Sequence, residues 1–192
     1  LKRVKTKTKK TLHKIIRNSN MSFILTSRFD DSTWRENCDF RKKYPDIACI
    51  YGSPQQITEK IPLNSLIFII EMNNSTNKIE GIGLIRNILH RDKKQRVYQT
   101  GNYNRYIYHG NYRIDRSILE KAVPQIIMIL EIMLFTGKTH LKRGRGFTRI
   151  SEKLYNIHKI LEKYNYTDWQ IKEEIVALFK RQFTESIDQI TI

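Results

Sequence analysis

The segment that most constrains the fold is Leu66 to Met72, LIFIIEM, apolar throughout except for Glu71. A run this short, rich in β-branched and aromatic residues, reads as a strand buried on both faces. Asn73 to Asn77 (NNSTN) supplies turn residues. Lys78 to Asn87 (KIEGIGLIRN) then returns as its hairpin partner. Gly81 and Gly83 interrupt the return strand, and glycine inside a strand marks a bulge, a sharp bend or a close backbone approach. Glu71 ends an otherwise apolar strand and is the carboxylate most worth following.

The flanking sequence extends this β-rich region. Met21 to Arg28 (MSFILTSR) predicts a first strand. Thr33 and Glu36 have capping-box spacing, which predicts a helix from Trp34 to about Lys43, ended by Pro45. Ile47 to Tyr51 predicts a short strand closed by Gly52, Ser53 and Pro54. Val97–Thr100 and Arg105–His109 are further strand candidates. After residue 116 the pattern turns helical. Ser117 is a candidate cap ahead of a helix from Pro124 to Phe135, with proline in its first turn and Gly137 as its stop. Ser151 opens a helix with Leu154, Ile157, Leu161 and Tyr164 on one side. Thr167 and Gln170 form a second capping box. The following helix offers Ile171, Ile175, Leu178, Phe179 and Phe183 to a core. The fold class is α+β in three parts: a basic flexible arm (1–20), a β region (21–116) and a helical segment packed on it (117–192).

Charge narrows the partners. The chain carries a formal net charge of +16 over 192 residues. Residues 1–20 hold eight Lys or Arg and no acid, so the remainder still carries +8. Such arms bind polyanions by counterion release, although a solubilising tail or a transit peptide has the same composition. With 40% hydrophobic residues the chain can build a core. No run approaches the ~18 apolar residues of a membrane span, so no membrane partner is expected. Two cysteines do not make a disulfide framework, and no secretory signal is visible. The expected location is intracellular rather than secreted.

Five tyrosines lie between Tyr98 and Arg116 (YQTGNYNRYIYHGNYRIDR), interleaved with arginines. Aromatic rings offer stacking faces to bases, and guanidiniums offer forked donors to phosphates. On an extended strand Tyr106 and Tyr108 share one face with Asn104, opposite Arg105, Ile107 and His109. The expectation is a stacking platform of Tyr106 and Tyr108, with Tyr103 also among the nucleic-acid-binding residues and Arg105 and Arg113 on phosphates. Core packing and a protein interface remain open for the same rings. The second candidate is the connector KTHLKRGRGFTR, where Lys138, Lys142, Arg143, Arg145 and Arg149 surround Gly144 and Gly146. Glycines let a backbone approach phosphate closely; a solvated basic loop is the alternative. Gly137-Lys138-Thr139 lacks the earlier glycine of a Walker A loop. Trp34 and Tyr51, with Phe29, form a candidate aromatic pocket, with core packing as the alternative.

No catalytic residue stands out, and no cofactor or metal site is expected. The cysteines and the five histidines are scattered, and hydrolase and metalloprotease motifs are absent. Glu71, Glu80 and Asp115 with Lys78 have the residue types of a nuclease-like metal centre.

The order of strand, short Trp-containing helix, CIYGSP, then IFIIEM paired with KIEGIGLI resembles the PUA-like superfamily of small β-barrels, which includes the ASCH, EVE and YTH branches. That resemblance covers residues 21–116. It implies a mixed barrel that reads nucleic acid, sometimes a modified base in an aromatic pocket. The phrases IIEMNNSTNKIEGIGLIRN, NYNRYIYHGNYRI and LFTGKTHLKRGRGFTRI are similar to an uncharacterised protein family of large nucleocytoplasmic DNA viruses. That similarity implies a virus-encoded protein acting in the host cell or packaged with protein partners in the particle.

The leading expectation is therefore a non-enzymatic nucleic-acid-binding protein, for RNA or DNA. The alternatives are a structural or minor virion component that meets an acidic protein and, third, a metal-dependent nuclease.

Overall fold

The computed structural model describes residues 22–89, 96–138, 140–150 and 157–184. The basic arm, Thr139, and the expected helix start at Ser151 and Leu154 lie outside the described residues.

The long apolar strand sits at the centre of a five-stranded mixed sheet. In chain order the strands are β1 (Ser22–Phe29), β2 (Cys49–Ser53), β3 (Leu66–Asn73), β4 (Lys78–Arg86), β5 (Tyr106–Gly110), β6 (Tyr112–Asp115) and β7 (Thr148–Arg149). The large sheet runs β6-β4-β3-β1-β7. The β3–β4 hairpin and the β4–β6 and β1–β7 pairs are antiparallel; β1 and β3 are parallel. Parallel neighbours need a crossover, and here it carries α1 (Asp31–Lys43) and β2. β2 and β5 pair with each other in a separate two-stranded sheet.

Each face of the large sheet is covered by a different layer, which is why β3 reads as apolar throughout. Phe68, Ile70 and Met72 join Ile82, Leu84 and Ile114 against the helices α2 (Arg116–Ala122), α3 (Pro124–Phe135), α4 (Ile157–Lys163) and α5 (Asp168–Thr184). Ile67 and Ile69 join Leu25, Phe29 and Ile85 against the β2–β5 sheet, α1 and the Val97–Tyr98 segment.

Several local expectations match the structure. α5 begins with a reciprocal capping box: Gln170 N–H donates to Thr167 Oγ1 at 3.2 Å, and Thr167 N–H donates to Gln170 Oε1 at 2.7 Å. Ile171, Ile175, Leu178 and Phe179 are buried, as the helical spacing predicts. Gly137 follows α3 at φ 75°.

Other expectations shift. α1 starts three residues early because Asp30 is its cap: Thr33 N–H donates to Asp30 Oδ1 at 2.8 Å, and Asp30 N–H donates to Thr33 Oγ1 at 3.0 Å. α2 is preceded by Asp115, not capped by Ser117, and the chain breaks at Val123 ahead of Pro124. Val97–Thr100 is not a strand. Asn104 takes its backbone bonds: Oδ1 accepts from Val97 N (2.8 Å) and Tyr98 N (2.9 Å), and Nδ2 donates to Tyr98 O (2.6 Å). A 3₁₀ turn, Gly101–Asn104, follows.

Among the described residues the expected closed barrel is not present. β6 and β7 are the two edges of an open sheet, and β2–β5 is a second sheet laid against it. The chain passes from β5 to β6 through Asn111 alone. At this corner Gly110 lies so close to β4 that a Cβ there would sit 2.0 Å from Leu84 O.

Candidate functional site

Glu71, Arg113 and Tyr51, singled out for three separate roles in the sequence, meet in one structural core. Glu71 is fully buried, and the Arg113 side chain is 4% exposed. Arg113 Nε donates to both Glu71 oxygens at 3.0 Å, and Nη2 donates to Oε2 at 2.7 Å. Tyr51 Oη donates to Glu71 Oε1 at 2.7 Å, and Arg113 also pairs with Asp115. The glycines of β4 make room for this cluster. A Cβ on Gly81 would lie 2.5 Å from Arg113 Nη2, and one on Gly83 would lie 2.0 Å from Tyr51 Oη. The ladder shifts register between Glu71 and Met72, opposite Glu80 and Gly81. Close approach and bulge, both open from sequence, are thus both realised. The carboxylates considered for a metal centre are otherwise engaged: Glu71 and Asp115 on Arg113, and Glu80 accepting from Asn73 Nδ2 at 2.9 Å. Among the described residues no group of three His, Cys, Asp or Glu could hold a metal.

Burial also corrects the aromatic expectations. Tyr108 is 2% exposed and its hydroxyl accepts from Ile57 N–H at 3.2 Å, so its ring is core and offers no face to a base. Tyr51, its cross-strand partner, is fully buried. Tyr51 and Trp34 do not line an open pocket. Trp34 meets Phe29 edge to face at 5.2 Å, with the guanidiniums of Arg41 and Arg113 over its ring at 5.4 and 5.6 Å. Arg113, bound to Glu71, is removed from any phosphate-binding surface. Tyr106 is half-buried, with Arg105 over its ring at 5.5 Å.

The basic connector, in contrast, is folded into a defined loop. Arg28, at the end of β1, donates from Nε to Leu141 O (2.6 Å), from Nη1 to Gly146 O (2.8 Å) and from Nη2 to Thr148 Oγ1. Burial holds the Arg28 pKa below its ordinary value. Asn74 Nδ2 donates to Lys142 O at 3.0 Å. Phe147 inserts its ring edge to face against Tyr108 at 5.4 Å and Tyr51 at 6.5 Å. Gly144 and Gly146 take positive φ, 141° and 66°. A Cβ at Gly146 would also lie 2.6 Å from Ser53 Oγ.

This loop closes one side of a cleft of about 190 Å³ at the carboxyl ends of the parallel strands β1 and β3. Lys142, Gly144, Arg145 and Gly146 line it together with Tyr98, Tyr103 and Gly52, and with Arg28, Asp30 and Asn74. Tyr103 is 41% exposed and meets the buried Tyr98 edge to face at 6.1 Å. Gly52 permits this approach, since a Cβ there would sit 2.1 Å from Tyr103 O. Among the described residues Lys142, Arg143 and Arg145 enter no ion pair within 4 Å. Lys138 and Arg149 are exposed outside the cleft lining, and Arg149 lies over the Phe23 ring at 5.3 Å.

The structure therefore brings Tyr103 together with Lys142 and Arg145, and Arg143 adjoins them in sequence. Sequence reasoning missed Arg28, Asp30, Asn74 and Gly52. Only Arg28 carried a signal, as a charge ending an apolar strand. Comparison with known proteins gives no family, no curated protein and no solved structure that matches this chain. Among the described residues no helix is long and apolar enough to cross a membrane.

Proposed function

We propose that this chain is a non-enzymatic nucleic-acid-binding protein that holds a single strand in the cleft between Tyr103 and the Lys142–Gly146 loop. The observation that carries this reading is the shared cleft: an exposed ring and two cations without carboxylate partners among the described residues line one cavity. Stacking on Tyr103 contributes ~1–3 kcal/mol per base by alanine substitution. Lys142 and Arg145, with Arg143 beside them, neutralise phosphates, and the +16 net charge draws polyanions from a distance. On this reading the protein works inside the cell. The resemblances to PUA-like proteins and to a family of large DNA viruses belong to the same proposal.

Fluorescence anisotropy with labelled single-stranded oligonucleotides tests it. Each phosphate neutralised on a single strand adds a slope of about −0.7 to log K against log salt. Lys142→Ala with Arg145→Ala should therefore flatten the slope by about 1.4, and Tyr103→Ala should weaken binding at least fivefold without altering the slope. Wild-type protein that ignores oligonucleotides at low salt, yet associates stably with an acidic protein, would replace this reading with the interaction-protein class.

A further inference from the structure

The cleft is not uniformly cationic. Asp30 lines it, and one of its oxygens, Oδ1, already accepts from Thr33 N–H and Thr33 Oγ1 at 2.8 Å each. Those bonds hold the Asp30 carboxyl below its ordinary pKa, so it is ionised at neutral pH. Oδ2 accepts from no side chain among the described residues, although the Ser32 backbone N–H also acts on the carboxylate. Asp30 also makes no ion pair within 4 Å with Lys142 or Arg145, although all three line one cavity. The second acceptor is Asn74 Oδ1, which is buried and has no hydrogen-bond partner. Its amide orientation is fixed because Nδ2 donates to Lys142 O. A buried acceptor without a donor costs about 1–3 kcal/mol. A carboxylate beside a phosphate site also repels a bare phosphate. A donor carried next to the phosphate offsets the repulsion at Asp30, whereas Asn74 Oδ1 would need a second donor.

In a nucleic-acid strand the group next to each phosphate is the sugar. An internal deoxyribose has no donor; an internal ribose has its 2′-hydroxyl. We infer that the cleft takes a ribonucleotide unit, with phosphate on Lys142 and Arg145 and the ribose 2′-hydroxyl donating its one proton to the Asp30 carboxylate, so that RNA is bound in preference to DNA. This rests on the function proposed above and goes beyond it by naming the sugar.

The test compares three oligoadenylates of equal length, built from ribose, 2′-deoxyribose and 2′-O-methylribose, by anisotropy at one salt concentration. A hydrogen bond to a charged acceptor predicts ribose binding about tenfold tighter than either analogue, neither of which can donate from that position. Asp30→Asn keeps the helix cap, since Asn caps as well as Asp. It should pull the ribose-to-deoxyribose ratio towards one, and that ratio is read independently of overall affinity. Salt-dependent binding with equal affinity for all three oligonucleotides overturns the ribose inference and leaves the binding function standing. An undiminished ratio in Asp30→Asn overturns the role of the carboxylate. Binding to none of the three overturns both the inference and the function on which it rests.

Discussion

Replacing Arg113 by methionine tests whether the buried cluster is held by charge. Glu71 is fully buried and accepts from Arg113 Nε and Nη2 and from Tyr51 Oη. Arg113→Met keeps an apolar stem in place but leaves the carboxylate without its cation. Removing one partner of a buried pair costs about 3–5 kcal/mol, mostly as the penalty for the charge left behind. That is a large share of the roughly 5–15 kcal/mol that holds a typical domain folded. With a urea m-value of about 2 kcal/mol/M, the midpoint should fall by about 1.5–2.5 M in unfolding followed by far-UV circular dichroism. Asp115 is 65% exposed and loses little, so most of the loss falls on Glu71, with the bond to Glu80 O and the contact over the Trp34 ring as smaller parts. The combined variant Glu71→Leu, Arg113→Met, Tyr51→Phe removes all three polar members and should return to near wild-type stability, because a well-packed apolar replacement roughly matches a buried pair. An Arg113→Met variant within about 1 kcal/mol of wild type would refute the reasoning. So would a combined variant as unstable as the single one, which would mean that shape rather than charge holds this core.

Gly83→Ala should cost about 1–3 kcal/mol by overpacking, since its Cβ would fall 2.0 Å from Tyr51 Oη and 2.8 Å from Cys49 Cβ; Tyr51→Phe should recover part of that loss in the same urea assay. Burial pushes the Cys49 thiol up to about 12, so Cys49 should react with a thiol reagent at pH 8 only on unfolding. Labelling of Cys49 at native conditions, read by mass spectrometry, would contradict its placement. The Asp30 pKa is depressed in the folded protein by hydrogen bonds from Thr33. Its contribution to stability is therefore present above the unfolded value of about 3.9 and is lost as pH falls through the lower folded value. The stability gap between wild type and Asp30→Ala, about 1 kcal/mol at pH 7 for a lost cap, should shrink in acid; a gap that stays constant down to pH 2 would contradict the ionised cap.

Much of the fold was legible because its causes are local. The β3 run, the NNSTN turn, the second capping box and Pro124 at a helix start each act within a few residues of chain. The candidate site was less legible. Alternation along β5 correctly pairs Tyr106 with Tyr108 on one face but does not say what that face meets. Tyr108 is buried because β2 and β5 lie on the large sheet and Phe147, some 40 residues on, packs against its ring. Arg113 looked like a surface arginine until β4 and its glycines set it beside Glu71.

The sequence alone determined the α+β class, the central strand, the basic character and the glycine positions, since these follow from side-chain periodicity, net charge and backbone freedom. Only the tertiary structure decided which tyrosine stays open and which arginine is neutralised, and which residues share a cleft. Tyr103, Lys142, Asp30 and Asn74 come together across more than a hundred residues of chain. Pairing of β1 with β3 and β7 brings them there, and no local pattern encodes a contact set by packing between sheets.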